Sequence, residues 1–377
     1  MRVIDADGHI IEPPEMFGEV PKEFYPRRPI PVYLPTDTER GNFNGCWIIE
    51  GKTFPSMTRQ GFTIFFIADD EQAKNRDVSM ESQTLRDVEA RLRDLDRFEI
   101  DVQIIFPTLF LASVAEDVKL EAALFQTYNT YLARACAQSK GRLRWVALVP
   151  FRDSEAAIQE VRRAKELGAA GIFTMGMVWN KVLSDPSFLP IYEQAAALDL
   201  PVCVHLGWAS PNVTEIFPDG QSFFCSATIP VIWGFTYIMA AGILSRFPKL
   251  RMGFMESGSE WVPYAMKQLR RRVNPPSVIR RSHARPSIVS GFDPDHYRDP
   301  IEFFRSGRAF VNCEGDEDFR YLLEHVGEDA LMCSSDFPHG DPSAEENYVT
   351  NWRRRTDLPE HVKKKVLGEN AARFFGL

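Results

Sequence analysis

The chain has no Cys-x-x-Cys pair, and its six cysteines, Cys46, Cys136, Cys203, Cys225, Cys313 and Cys333, are scattered. That excludes a closely spaced thiolate metal site or dithiol redox motif. In 377 residues they read as reduced core thiols, so a cytoplasmic protein is expected. No apolar run reaches the roughly 20 residues that span a bilayer. The opening Met1-Arg2-Val3-Ile4-Asp5 carries no apolar signal-peptide core. Positive charge is in deficit: 44 Lys and Arg face 52 Asp and Glu, a net charge of −8. Neither a nucleic-acid partner nor an anionic membrane surface is expected. Solenoid-period repeats, low-complexity tracts and a Gly-rich dinucleotide fingerprint are also lacking.

What is present begins at the N-terminus, with Asp5-Ala6-Asp7-Gly8-His9-Ile10-Ile11-Glu12-Pro13. Val3-Ile4 before it reads as the start of a buried strand. Side chains two apart on a strand share a face. Asp7 and His9 therefore point together from the strand end, and Glu12 follows in the exit loop. Further short apolar strands are predicted at 101–107, 143–150, 171–173, 201–205, 250–256, 309–313 and 331–336. Helices are predicted between them at 82–98, 121–139, 154–167 (with Ser154 as N-cap), 189–198 and 228–246, with a last one over 360–375. Residues 46–54, centred on Glu50-Gly51, suggest a hairpin.

Eight strands alternating with helices predict an α/β fold, a distorted (β/α)8 TIM barrel forming a single domain over residues 1–377. A doubly wound sheet is the alternative. Such barrels run to roughly 250 residues before insertions. The excess here falls at about 13–70 and about 274–300, the latter rich in Pro and Arg.

Barrel enzymes place catalytic groups at the C-terminal ends of strands. Asp7, His9 and Glu12 follow the first strand and His205 closes the fifth. Glu256 closes the sixth, Asn312 and Glu314 bracket the end of the seventh, Asp336 closes the eighth, and His339 follows it. Singly, each has an ordinary structural role open to it, as a hydrogen-bonded core residue, a cap or a turn. Their coincidence at four strand ends points to a metal site. His283, His296, His325 and His361 fall in loops or on helix surfaces and read as solvated. Three imidazoles (His9, His205, His339) and four carboxylates (Asp7, Glu12, Glu256, Asp336) exceed what one four-coordinate zinc uses. Seven donors suit two divalent ions about 3.5–4 Å apart. A carboxylate-rich, thiolate-free set favours iron or manganese over structural zinc.

These motifs, with Ser335-Asp336-Phe337-Pro338 and the terminal Glu369-Asn370-Ala371-Ala372-Arg373-Phe374-Phe375, resemble the amidohydrolase-related group. That group includes aminocarboxymuconate-semialdehyde decarboxylase and resorcylate-type decarboxylases. The resemblance implies a distorted barrel with Asp7, His9, His205 and Asp336 as metal ligands. The decarboxylases carry a catalytic His at the sixth strand end, where Glu256 stands here. They generally lack counterparts of Glu12 and His339. With these departures the chain resembles more closely a branch of oxygen-activating monooxygenases with a dinuclear non-haem iron or iron–manganese centre.

The leading expectation is therefore a monooxygenase (hydroxylase) with two ions, Fe or Fe/Mn, bound by Asp7, His9, Glu12, His205, Glu256, Asp336 and His339. Glu256 and Asp336 would carry catalysis, and electrons would come from a reductase or ferredoxin. The second expectation is a metal-dependent hydrolase or decarboxylase on a small carboxylate or amide. It would use one Zn or Mn and a metal-bound water, with Asp336 as base and Glu256 or His339 as acid or base. The third is a non-catalytic barrel in a hetero-oligomer. A homodimer is the default assembly, or a heterodimer with a related chain. Phe62, Phe65, Phe66, Trp179, Trp208 and Trp233 are candidate pocket walls. Arg59, Arg76 and the arginines of 274–300 are candidate anion holders.

Overall fold

The computed structural model describes residues 2–33, 45–54, 78–217, 223–273, 293–340, 343–345 and 347–377. Phe62, Phe65, Phe66, Arg59, Arg76, His283 and the arginines of 274–292 lie outside the described residues. Eight parallel strands form one sheet in chain order: β1 (Ile4–His9), β2 (Val102–Phe106), β3 (Leu143–Leu148), β4 (Gly171–Met175), β5 (Val202–His205), β6 (Met252–Met255), β7 (Ala309–Asn312) and β8 (Leu331–Met332). Their near-continuous Val, Ile, Leu, Met and Phe content is what a sheet covered on both faces requires. β1, β2, β5, β6 and β7 are buried at every position.

The sheet curls until its ends meet. Ala6 N–H donates to the Cys333 carbonyl (3.3 Å), Asp336 N–H to that of Asp7 (2.9 Å), and His9 N–H to that of Phe337 (2.7 Å). This nearly closed barrel with surrounding helices is the predicted (β/α)8 architecture and excludes the open doubly wound sheet. β8 is shorter than predicted, because regular pairing stops at Met332. The chain then follows β1 irregularly and turns at Asp336, whose φ is +53°.

β1 carries one extra residue against β2. Ile4 pairs with Val102 and Asp5 with Gln103, but Gly8 pairs with Ile105 and His9 with Phe106. Such a bulge re-aims side chains at a barrel rim. Asp5, fully buried, ties the seam from its own side chain. Its carboxylate accepts from Ser335 N–H (2.8 Å), Ser335 Oγ–H (2.5 Å) and Gln103 Nε2 (2.7 Å).

Helices cover the barrel, with departures from the predicted spans that have local causes. The helix predicted over 82–98 is two, Met80–Gln83 and Val88–Arg97, parted where Leu85 takes a positive φ of 55°. Val118–Ala137 starts at Asp117, whose side chain accepts from Lys119 N–H (2.8 Å). Ser154–Glu166 is capped by Asp153, accepting from Ala156 N–H (3.1 Å), rather than by Ser154. The apolar helix predicted over 228–246 breaks at Gly242 (φ +63°), where a Cβ would lie 2.5 Å from the His296 carbonyl oxygen. The last predicted helix is Glu360–Lys364, a wider π turn at Lys365–Glu369, and Asn370–Phe375.

In the first insertion, Gly45–Ile49 and Lys52–Phe54 form the expected hairpin, extended by Ile30–Tyr33 into a three-stranded antiparallel sheet. Glu50 and Gly51 both take positive φ, as a tight two-residue hairpin turn requires. Glu50 also accepts from Glu116 N–H (2.6 Å), which docks the hairpin beside the helix at 118–137.

The seam predicts its own weak point. Asp5→Ala leaves three buried donors without an acceptor, each costing about 1–3 kcal/mol. We expect a stability loss of about 3 kcal/mol or more, read as a lower urea midpoint. An unchanged midpoint would show that the seam does not depend on this carboxylate.

Candidate metal centre

The strand ends converge as the sequence suggests. Asp7 and His9 end β1, His205 ends β5, Glu256 follows β6, and Asp336 and His339 follow β8. Among the described residues two overlapping donor groups result: Asp7, His9, His205 and Glu256, and His9, Glu256, Asp336 and His339. Within each group one ligand atom per residue lies within 4.8 Å of all the others. All but His339 are buried.

The imidazoles are pre-oriented. His9 Nδ1–H donates to the Pro107 carbonyl (2.8 Å), and His205 Nδ1–H to that of Leu206 (2.8 Å). Each ring therefore turns an Nε2 lone pair into the barrel, the arrangement that second-shell carbonyls impose on metal-binding histidines. His9 Nε2 faces Asp336 Oδ1 at 3.3 Å, Asp7 Oδ1 at 3.4 Å and Glu256 Oε2 at 3.6 Å. His205 Nε2 faces Asp7 Oδ1 at 3.1 Å and Glu256 Oε2 at 3.4 Å. His9 Nε2 and Glu256 Oε2 are buried with no hydrogen-bond partner. Orphaned atoms that each offer a lone pair, facing one another in a buried pocket, fit a divalent cation between them.

The electrostatics agree. Burial alone would depress the His9 and His205 imidazoles, but the Asp7 and Glu256 carboxylates override it and raise both, His9 to about 10. Burial likewise pushes the Asp7 carboxyl up, and His205 and His9 overcome it, bringing Asp7 to about 2. Burial dominates at Glu256, which is raised. The pocket stabilises positive charge, which a bound metal supplies.

Asn312, at the end of β7, was visible as a strand-end polar residue without an assigned role. Its Nδ2 donates to Asp7 Oδ2 (3.3 Å) and to Ser334 Oγ (3.2 Å), leaving Asp7 Oδ1 toward His205. Arg91 and Thr108 had no sequence signal. Fully buried Arg91 donates through Nη2 to the His9 carbonyl and stacks on Phe337, 4.5 Å from the ring centroid. Thr108 meets His339: its Oγ lies 2.8 Å from His339 Nε2, while His339 Nδ1 lies 2.8 Å from Asp336 Oδ1.

Glu12 is the exception among the expected ligands and is corrected here. It lies outside both donor groups, because each of its oxygens accepts from a backbone amide, Thr108 N–H and Leu109 N–H, both at 2.9 Å. Burial raises its carboxyl to about 7 despite those amides. The remaining surface histidines behave as expected: His325 and His361 are exposed, and His296 pairs with Asp293. Trp179 lines a cleft with Phe110, Phe151, Phe173 and Met175 and stacks under Arg152. Phe173 also packs on the His205 ring, with centroids 5.8 Å apart, so cleft and donor groups share a wall. Trp208 holds the Leu111 carbonyl through its backbone, and Trp233 is half-buried on the helix at Ile229–Ala240.

A parallel α/β barrel with a His and carboxylate cluster at the C-terminal ends of its strands defines a barrel with a metal-binding centre. More particularly, the chain belongs to the Amidohydrolase family, whose profile matches residues 4–377. It is 24% identical over 296 residues to 2-amino-3-carboxymuconate-6-semialdehyde decarboxylase of Dictyostelium discoideum, covering 77% of each chain. It is 24% identical over 304 residues to gamma-resorcylate decarboxylase of Rhizobium radiobacter, covering 77% of this chain and 87% of that one. Among solved structures, an amidohydrolase from Mycobacterium avium subsp. paratuberculosis K-10 superposes with a TM-score of 0.77 at 20% identity, over 100% and 99% of the two chains. The 5-carboxyvanillate decarboxylase of Novosphingobium aromaticivorans, solved with manganese, gives 0.65 at 22% identity, over 79% and 82%.

These relatives overturn the leading functional expectation. The two sequence relatives and the Novosphingobium structure are decarboxylases, so the monooxygenase reading is withdrawn, and with it the need for a reductase or ferredoxin. They support the alternative of a metal-dependent hydrolase or decarboxylase, and an enzymatic role over a non-catalytic barrel. No helix among the described residues is long and apolar enough to cross a membrane.

The donor geometry carries a test. Removing a ligand, His205→Ala, should abolish retention of one metal equivalent on dialysis, with circular dichroism unchanged. Asn312→Ala, which only frees Asp7, should weaken metal affinity by about 10–100-fold. Equal metal retention by wild type and His205→Ala would rule out this centre.

Proposed function

We propose that the chain is a metal-dependent carboxy-lyase acting on a small carboxylic acid. One divalent ion, manganese or zinc, would be held by Asp7, His9, His205 and Glu256. The carrying observation is the pair of inward Nε2 lone pairs facing buried carboxylates. The decarboxylase relatives and the manganese in their solved neighbours support the reaction class. Bound there, the ion supplies a Lewis acid that grips a carboxylate and an adjacent oxygen of the substrate.

The protein's own groups supply the rest. Loss of carbon dioxide leaves a carbon that must take up a proton. His339, stacked on His9 with centroids 4.0 Å apart and bonded to Asp336, stands beside the donor group to deliver it. Phe106 and Phe173 pack on His205 and keep the floor dry. A dry site strengthens each electrostatic contact within it.

The overlap of the two donor groups favours a second reading, of ion number. An imidazole Nε2 has one lone pair, so His9 serves one ion. Glu256 has two oxygens, so Glu256, Asp336 and His339 would together hold a second ion. In that case His339 would be a ligand and not the proton donor.

Both readings meet one experiment. Metal content per chain is measured, and carbon dioxide release is followed from hydroxybenzoates and other unsaturated acids of the relatives' kind. We expect about one Mn or Zn, release lost on chelation, and release restored by either metal. Two ions per chain would favour the bridged centre. Absence of release from every acid in metal-replete protein would sink the carboxy-lyase.

A further inference from the structure

The cleft beside the donor groups has walls that select one kind of occupant. Phe173 and Met175, two apart on β4, share one side of the strand. Phe173 packs on the His205 ring, and Met175 stands opposite His205 in the pairing of β4 with β5. Both line the cleft, together with Phe110, Val114, Phe151 and Trp179. The cleft therefore borders the same end of the barrel as the candidate metal centre.

Backbone bonds tie together the loops that leave β2, β4 and β5 around it. Trp208 N–H donates to the Leu111 carbonyl (2.7 Å), Ser113 N–H to that of Trp208 (3.3 Å), and Trp179 N–H to that of Ala209 (3.1 Å). A Cβ at Gly207 would lie 2.4 Å from the Leu111 carbonyl oxygen, so glycine permits this close approach. The walls are thus held in place before anything binds.

The polar side chains on those walls already have partners. Ser113 Oγ–H donates to the Ala209 carbonyl (3.0 Å) and Thr174 Oγ–H to that of Met175 (3.1 Å). Glu121 accepts from Arg152 Nε (2.9 Å). The other two Arg152 nitrogens donate to the Glu116 carbonyl (3.0 Å) and the Ala115 carbonyl (2.6 Å), and the guanidinium stacks on Trp179. The buried Trp179 indole N–H makes no hydrogen bond of its own but lies close enough to Glu121 to lower its carboxyl. An anion entering the cleft would find no uncommitted cation among the described lining residues and would lie against Glu121. A hydrocarbon group loses nothing there and gains apolar contact.

We infer that this cleft is a specificity subsite, receiving a short hydrocarbon branch of the acid whose carboxylate lies at the metal centre. The inference rests on the carboxy-lyase reading for the place of that carboxylate. The cleft encloses about 40 Å3. At roughly 10–15 Å3 for each water-sized atom, that admits a branch of about three carbons. The substrate class narrows accordingly, from a small carboxylic acid to one carrying a methyl to propyl group on the side that faces β4.

The test measures, by calorimetry on metal-replete protein, the binding of benzoates bearing a methyl, ethyl or propyl group at each ring position. At one position Kd should fall roughly fourfold for each added carbon. A hydroxymethyl group or a second carboxylate at that position should forfeit the gain. Val114 and Phe125, both half-buried, line the cleft. Val114→Phe fills it and should flatten the series, whereas Phe125→Ala enlarges it and should move the optimum to a longer chain. Circular dichroism checks that both variants fold. No gain from alkylation at any position, or an unchanged series in either folded variant, overturns the inference. Carbon dioxide release, followed in parallel, separates the two ideas. Alkyl-dependent binding without release from any alkylbenzoate would support the subsite and count against the carboxy-lyase. Release with no alkyl preference in binding would overturn the subsite and leave the reaction standing.

Discussion

Everything at the site hangs on the seam between β1 and the chain leaving β8. Two backbone hydrogen bonds there, Asp336 N–H to the Asp7 carbonyl and His9 N–H to that of Phe337, join residues that also carry the candidate metal donors. The contacts that close the barrel thus set the separation of Asp7, His9 and Asp336. Asp5 and Arg91 brace the seam with buried side chains, through Ser335, the His9 carbonyl and Phe337. A barrel has no free sheet edge, so this closure is stabilising in its own right. The fold and the donor geometry are consequences of the same few bonds.

The interior of that closure is electrostatically unusual. Asp7, Glu256 and Asp336 bring three carboxylates around His9, all of them buried. Like charges so placed repel in a medium of low dielectric. A cation relieves that repulsion, whether a proton on the imidazoles, which the carboxylates favour, or a metal ion in its place. The raised imidazoles express the pull of these carboxylates for positive charge, whereas the raised Glu256 carboxyl expresses the cost of its burial. A site that needs a cation is coupled to it: binding selects the folded arrangement and adds to its stability.

Much of this was legible in the sequence because it is periodic. Alternating apolar strands and capped helices gave away the barrel, and strand-end positions marked Asp7, His9, His205, Glu256, Asp336 and His339. What failed was whatever depends on register. Glu12 has the right spacing for a ligand, but the chain after the β1 bulge carries it to the Thr108 and Leu109 amides. Thr108, Arg91 and Asn312 act across the barrel on residues 82 to 305 positions distant, and no local pattern announces such pairs. The reaction class failed for a different reason. Donor counting bears on how many ions a set can hold and not on the reaction they serve; the decarboxylase relatives, not the donor set, turned the reading.

Backbone strain ties these threads together. Glu256 and Asp336 both sit at positive φ, 49° and 53°, where a non-glycine residue costs of order 1–3 kcal/mol. Neither conformation survives without restraint. Glu317 supplies it beside Glu256, accepting from Ser259 N–H, Ser259 Oγ–H, Glu260 N–H and Glu314 N–H, and so binding the loop after β6 to the loop after β7. Asp5 supplies it beside Asp336 through Ser335. Two donor residues are therefore held in strained geometry by two carboxylates that are absent from the donor groups. This division explains why so many acidic residues crowd one end of the barrel. Some face the cation, and the others hold the backbone that aims them.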